Sequence, residues 1–161
     1  MSMERKLRIG VLGPGAASAE VLTLAEEVGA EIGRRGAILV CGGLGGVMEA
    51  AARGARQAGG LTVGIVPGAD AQEANEFIDV PVVTGMGEAR NTLVVRSSNV
   101  VIAVAGSYGT LSEIALALKM SVPVVGLGTW KLRSPDGSEP PIIQAGSSRE
   151  AVAQAIKAAQ L

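Results

Sequence analysis

The turn Gly106-Ser107-Tyr108-Gly109-Thr110 follows a β-branched apolar run, Val100–Ala105, and opens a helical one. Glycine in such a turn lets the backbone bend sharply and lets a ligand approach the amides closely. The first N–H groups of a helix have no internal partner, and the helix dipole favours an anion at that end. The Thr110 hydroxyl can add a donor. Two upstream segments repeat the arrangement: Gly42-Gly43-Leu44-Gly45-Gly46 follows Ala37–Cys41, and Gly13-Pro14-Gly15-Ala16-Ala17-Ser18 follows Leu7–Leu12. Any one of these is explained by a tight turn with no ligand. Together they point to one crevice for a phosphorylated small molecule. Its candidate contacts are Gly13, Gly15, Ser18, Gly42, Gly43, Gly45, Gly46, Gly106, Ser107, Gly109 and Thr110.

Glu113 is the only acid between Ala89 and Val124. On the expected helix Leu111–Met120 it falls in the first turn, where a carboxylate is favoured by the dipole. The alternative is a carboxylate aimed into the crevice, contacting a sugar hydroxyl or acting as a general acid or base. Arg90 follows the turn Thr84–Gly87 and begins another expected helix, Ala89–Ser98. A cation there opposes the dipole, so it is either a solvated arginine or one held by a phosphate or by a carboxylate such as Glu113. Asn91 beside it can donate to the same ligand. Cys41 reads as a small core residue at a strand end. Trp130 reads as an anchor for a late loop or a partner surface.

Other chemistries find no footing. The first turn lacks G-x-G-x-x-G, and Cys41 stands where an acid would end the second strand, so dinucleotide binding is weakly supported. No G-x-x-x-x-G-K-[ST] occurs. The chain has no histidine and one cysteine, which leaves no internal disulfide and no His- or Cys-built metal centre; no protein-ligated metal is expected. Net charge is 14 − 15 = −1 and aromatics make up 2%, so a nucleic-acid partner is disfavoured. The lead Met1–Lys6 is polar, and no run is long enough to span a membrane, so cytoplasm is the expected location and no membrane partner is expected.

Positioning such a crevice requires a particular scaffold. β-Branched runs at Leu7–Leu12, Ala37–Cys41, Leu61–Val66, Asp79–Thr84, Asn99–Val104 and Pro123–Leu127 alternate with helical candidates. These are Ala19–Arg35, Val47–Ala58, Ala89–Ser98, Leu111–Met120 and Ser148–Ala159, the last opened by a Ser-x-x-Glu capping box from Ser147 to Glu150. A polar segment, Lys131–Pro141, reads as an exposed loop. With 48% hydrophobic residues and almost no aromatics, the core must be Val, Ile, Leu and Ala, which suits a parallel sheet covered on both faces. The expected fold is α/β: a doubly wound, Rossmann-like parallel sheet in a single three-layer αβα domain over residues 1–161. All three glycine turns then lie beyond the carboxyl ends of the strands.

The segments GMGEARNTLVVRSSNVVIAVAGSYGTLSEIALALK and CGGLGGVMEAAARGA resemble the superfamily of Lonely Guy proteins and molybdenum-cofactor carrier proteins, a group formerly misannotated as lysine decarboxylase-like. The resemblance covers Leu7 to about Leu127. The family signatures are P-G-G-x-G-T-x-x-E and M-H-x-R-K. Position by position, the resemblance implies a catalytic pair at Arg90 and Glu113 and a phosphate cradle at Gly106, Ser107, Gly109 and Thr110. Ala105 stands for the proline, Ser107 for the second glycine, Asn91 for the lysine, and Gly87 or Glu88 for the histidine. The Arg90-Asn91 pair is closer to the carrier-like branch. The resemblance therefore implies a homodimer or higher homo-oligomer that binds the molybdenum cofactor or a nucleotide monophosphate. Its alternative is a nucleoside 5′-monophosphate phosphoribohydrolase of the cytokinin-activating type.

Overall fold

The computed structural model describes residues 4–160. Seven parallel strands form one sheet: β1 (Arg8–Leu12), β2 (Ile38–Cys41), β3 (Thr62–Val66), β4 (Val80–Val83), β5 (Val100–Val104), β6 (Val124–Leu127) and β7 (Ile142–Gln144). Their spatial order is β4-β3-β2-β1-β5-β6-β7. The order reverses at β1, which pairs with β2 on one side and β5 on the other. In open α/β sheets that reversal is where ligands bind, beyond the carboxyl ends of the strands.

Five helices cover the sheet: α1 (Ala19–Arg34), α2 (Val47–Gln57), α3 (Asn91–Arg96), α4 (Tyr108–Lys119) and α5 (Ser148–Ala159). One cluster of fully buried residues packs α1, α2 and α5 onto one face, through residues such as Val28, Ile32, Ala51 and Val152. The other packs α3 and α4 onto the opposite face, through Val94, Val95, Ile114 and Ala117. The layers are thus helix, sheet, helix, as expected for a doubly wound fold. Strand β5 is buried along its whole length, and its continuous run of Val, Ile and Ala reflects burial on both faces.

Three details depart from the sequence expectations. The short strand β7 lies immediately after the proline-containing loop, where no strand was expected. The expected helix Ala89–Ser98 divides into a 3-10 turn, Gly87–Arg90, and α3. Helix α4 starts at Tyr108, three residues earlier than expected, because the Ser107 side chain caps it by accepting from the Thr110 N–H. Glu113 therefore lies in the second turn of α4, where the favourable effect of the dipole on a first-turn acid no longer accounts for it. No helix among the described residues is long and apolar enough to cross a membrane.

Candidate functional site

A pocket of about 150 Å³ opens at the sheet reversal, and its wall comes from four chain segments. The end of β1 supplies Val11, Leu12, Gly13 and Gly15. The end of β2 and the start of α2 supply Gly42 and Met48, the junction of the 3-10 turn with α3 supplies Arg90 and Asn91, and the start of α4 supplies Ser107, Gly109, Thr110 and Glu113. The three glycine turns thus meet on one edge. Gly43, Gly45, Gly46, Ser18 and Gly106 lie outside this wall. Ser18 caps α1 by accepting from Val21 N–H. The carbonyl of Gly43 accepts from Asn75 N–H at 2.8 Å. Gly46 has φ 64 and is pressed against the Pro14–Gly15 backbone, so only glycine fits there.

The wall glycines differ in what they leave open. A methyl at Gly42 would come within 2.7 Å of Arg90 Nη2, so glycine there makes room for the guanidinium. A methyl at Gly13 would run into Val47. Gly15 and Gly109 face open space: a methyl at Gly15 would meet nothing within 4 Å, and one at Gly109 would meet only Ser107 Oγ at 3.8 Å. Neither has a left-handed φ. Backbone geometry and packing therefore do not require glycine at these two positions, and both line the pocket.

Arg90 is 8% exposed. Its Nε donates to Ile65 O at 2.9 Å and its Nη2 to Gly42 O at 3.4 Å, so it ties together the ends of β3 and β2. Its Nη1 donates to Asn91 Oδ1. Of the five guanidinium N–H donors, three have partners among the described residues and two do not, and Arg90 lines the pocket. Because Asn91 Oδ1 is taken by Arg90, its amide nitrogen is the group it can offer to the pocket.

Glu113 is also 8% exposed. Among the described residues nothing donates a hydrogen bond to its carboxylate, and no ion pair joins it to Arg90. Burial pushes its carboxyl up to about 7, against the opposing pull of the Arg90 charge. Cys41, the last residue of β2, is fully buried, and burial pushes its thiol up to about 12, so it carries little thiolate at neutral pH. No three His, Cys, Asp or Glu side chains among the described residues gather to hold a metal.

The turn before α4 is held from outside the pocket. Ala105 has φ 53 and donates its N–H to Leu127 O at 3.1 Å. A proline, as in the resembled signature, permits neither feature. Trp130 Nε1 donates to Ser107 O at 3.0 Å. The sequence reading passed over three wall residues: Val11 and Leu12, which looked like ordinary strand core, and Met48. Met48 follows the second glycine turn by two residues, and that adjacency is the one signal that marks it.

The family model for the SLOG cluster4 family matches residues 6–160. The fold superposes on the molybdenum cofactor binding protein from the phototrophic bacterium Rippkaea orientalis with a TM-score of 0.87 and 39% identity, covering 99% of this chain and 100% of that one. The molybdenum cofactor carrier protein of Chlamydomonas reinhardtii gives a TM-score of 0.84 at 38% identity, covering 98% and 100%. A cytokinin riboside 5′-monophosphate phosphoribohydrolase of Mycobacterium tuberculosis is 41% identical over 100 residues, 60% of this chain and 53% of that protein. This chain thus spans about half the length of the hydrolase it matches. The family match extends over nearly the whole chain, and the two solved structures match it end to end at 38–39% identity: the chain belongs to the SLOG cluster4 family, of Lonely Guy type.

Proposed function

We propose that the protein binds a phosphorylated small molecule at the β1/β5 reversal, as a carrier-like protein for a molybdenum-cofactor-type ligand. The observation that carries this reading is the pair of open glycines, Gly15 and Gly109, beside the two free donors of Arg90. A phosphate on the first amides of α4 meets backbone N–H groups, the Thr110 and Ser107 hydroxyls, the Asn91 amide and a buried cation. That donor set fits the phosphate end of a molybdopterin. When bound, the cofactor supplies an oxyanion-bearing molybdenum centre on a dithiolene. The pocket wall holds no histidine or cysteine to ligate that metal, and the one cysteine of the chain is buried with its thiol up at about 12. The names of the two solved neighbours support the same ligand class.

The pocket's 150 Å³ is below the size usual for a whole small-molecule site. It suits the phosphate and the adjoining sugar or ring edge, with the rest of the ligand outside, against a second copy of the chain in a homo-oligomer. A second reading rests on Glu113, a buried carboxyl titrating near neutrality beside a cation. In a nucleoside 5′-monophosphate phosphoribohydrolase, Arg90 would hold the phosphate end. Ionised Glu113 would bind ribose hydroxyls and stabilise the oxocarbenium-like state as the base leaves.

One experiment addresses both readings. The protein is titrated calorimetrically with adenosine monophosphate, inorganic phosphate and molybdopterin, then incubated with adenosine monophosphate and an N6-substituted analogue, and free base is quantified. Binding without base release favours the carrier reading, and release favours the hydrolase. No binding of adenosine monophosphate, inorganic phosphate or molybdopterin contradicts both.

A further inference from the structure

We infer that Trp130 is a positioning residue for the turn that opens α4, an inference that rests on reading that turn as a phosphate seat. Three consecutive residues of the turn are gripped by this one side chain, which comes from the segment after β6. Its Nε1 donates to Ser107 O at 3.0 Å. Its indole lies so close to Gly106 that a methyl there would come within 2.6 Å of Nε1 and 2.7 Å of Cδ1. Its ring stacks on Tyr108, with centroids 6.0 Å apart and planes at 27°. Tyr108 is 83% exposed, so this stack is not core packing.

The turn has a reason to need such a grip. Ala105 sits in the left-handed region, which non-glycine residues seldom adopt. Its N–H is tied to Leu127 O, so the segment Leu127–Trp130 holds the turn at both ends. Gly128, with φ 62, lets that segment fold back. Ser107 O accepts from both Leu111 N–H and the indole. A trans peptide unit is planar, so fixing the Ser107 carbonyl fixes the direction of the Tyr108 N–H. That N–H is one of the unpartnered donors at the helix start. Trp130 therefore aims an anion-binding amide without touching the anion, and Gly106 is glycine because the indole occupies the space its side chain would need.

The test compares the full chain with Trp130→Phe, Trp130→Ala and Gly106→Ala, by amide hydrogen exchange over residues 105–111 without ligand and by calorimetry with adenosine monophosphate. Trp130→Phe keeps an aromatic ring and loses the N–H together with part of the indole's bulk. Its expected effects are exchange at Ala105 and Leu111, whose N–H groups are the bonded ones at the two ends of the turn, faster by about three- to tenfold, and affinity lower by a similar factor, as for one lost hydrogen bond. Gly106→Ala has the same expected effects in the native background and adds nothing in a Trp130→Ala background. Unchanged exchange in Trp130→Phe overturns the inference, as does faster exchange with unchanged affinity. If exchange responds but the native chain binds neither adenosine monophosphate nor inorganic phosphate, the phosphate seat is refuted and the grip of Trp130 on the turn stands.

Discussion

Glu113 and Arg90 line the same pocket from different helical segments, 23 positions apart, without forming an ion pair. Arg90 spends three donors on Ile65 O, Gly42 O and Asn91, and Glu113 receives none. The carboxyl is therefore buried without the compensation that would keep it in the usual range, and it titrates near 7. The two groups share one pocket wall without neutralising each other through an ion pair.

The first consequence is a pH-dependent stability with a definite sign. The folded pKa of Glu113 is raised from 4.5 to about 7, so the folded state holds a proton that the unfolded state has released. Stability from this group is fully present below about pH 4.5 and is lost as pH rises through about 7. Glu113→Gln removes the penalty of order 3 kcal/mol. Denaturant melts should show the variant more stable than the native chain at pH 8, with the gap closing towards pH 5.

Ligand binding should carry the same signature. Ionised Glu113 repels an anion seated on the same helix, so affinity for adenosine monophosphate should fall as pH rises from about 7 to 9. The phosphate group is already largely doubly charged over this range, its second pKa being about 6. Calorimetry at several pH values should show this fall in the native chain and a flatter profile in Glu113→Gln.

Arg90→Ala should lose both affinity and stability. The lost contact to phosphate is worth roughly 1.5–3 kcal/mol, about ten- to a hundredfold in affinity. The buried carbonyls of Ile65 and Gly42 also lose their donor, which costs about 1–3 kcal/mol more in folding. Calorimetry and thermal melts should both move. An unchanged melting temperature contradicts the bridging role of Arg90 between β2 and β3.

The strand-helix alternation was legible because β-branched runs bounded by glycine mark buried parallel strands, and six of the seven strands stand within a residue or two of the expected ranges. Strand β7 was not legible. At three residues, directly after Pro140 and Pro141, it carries too little periodicity, and only pairing with β6 makes it a strand. The placement of Arg90 and Glu113 in one pocket follows from topology, which the sequence pattern implied. Their environments did not follow. That Asn91 accepts from Arg90, that Glu113 has no donor among the described residues, and that Trp130 reaches back 23 residues to Ser107 are products of tertiary packing that no local pattern encodes.

Glycine substitutions should separate fold from site. A Cβ at Gly109 meets only Ser107 Oγ at 3.8 Å, an ordinary contact, and valine is tolerated in helices about as well as glycine. The melting temperature of Gly109→Val should stay within a few degrees of native while affinity for adenosine monophosphate falls at least about tenfold, a loss of 1.4 kcal/mol or more. Gly29→Ala should do the reverse, because its methyl would be driven into the Ala51 carbonyl where α1 and α2 cross. Overpacking of this kind costs about 1–3 kcal/mol, visible in thermal melts.

The central claim is that an anion sits on the first amides of α4 between Arg90 and the open glycines. A crystal structure of the protein grown with adenosine monophosphate tests it most directly. The phosphate should lie within hydrogen-bond distance of the Tyr108 and Gly109 amides and Arg90, with the ribose towards Glu113. A phosphate bound elsewhere on the chain, with the pocket wall of Gly15, Arg90, Gly109 and Glu113 free of ligand, contradicts it.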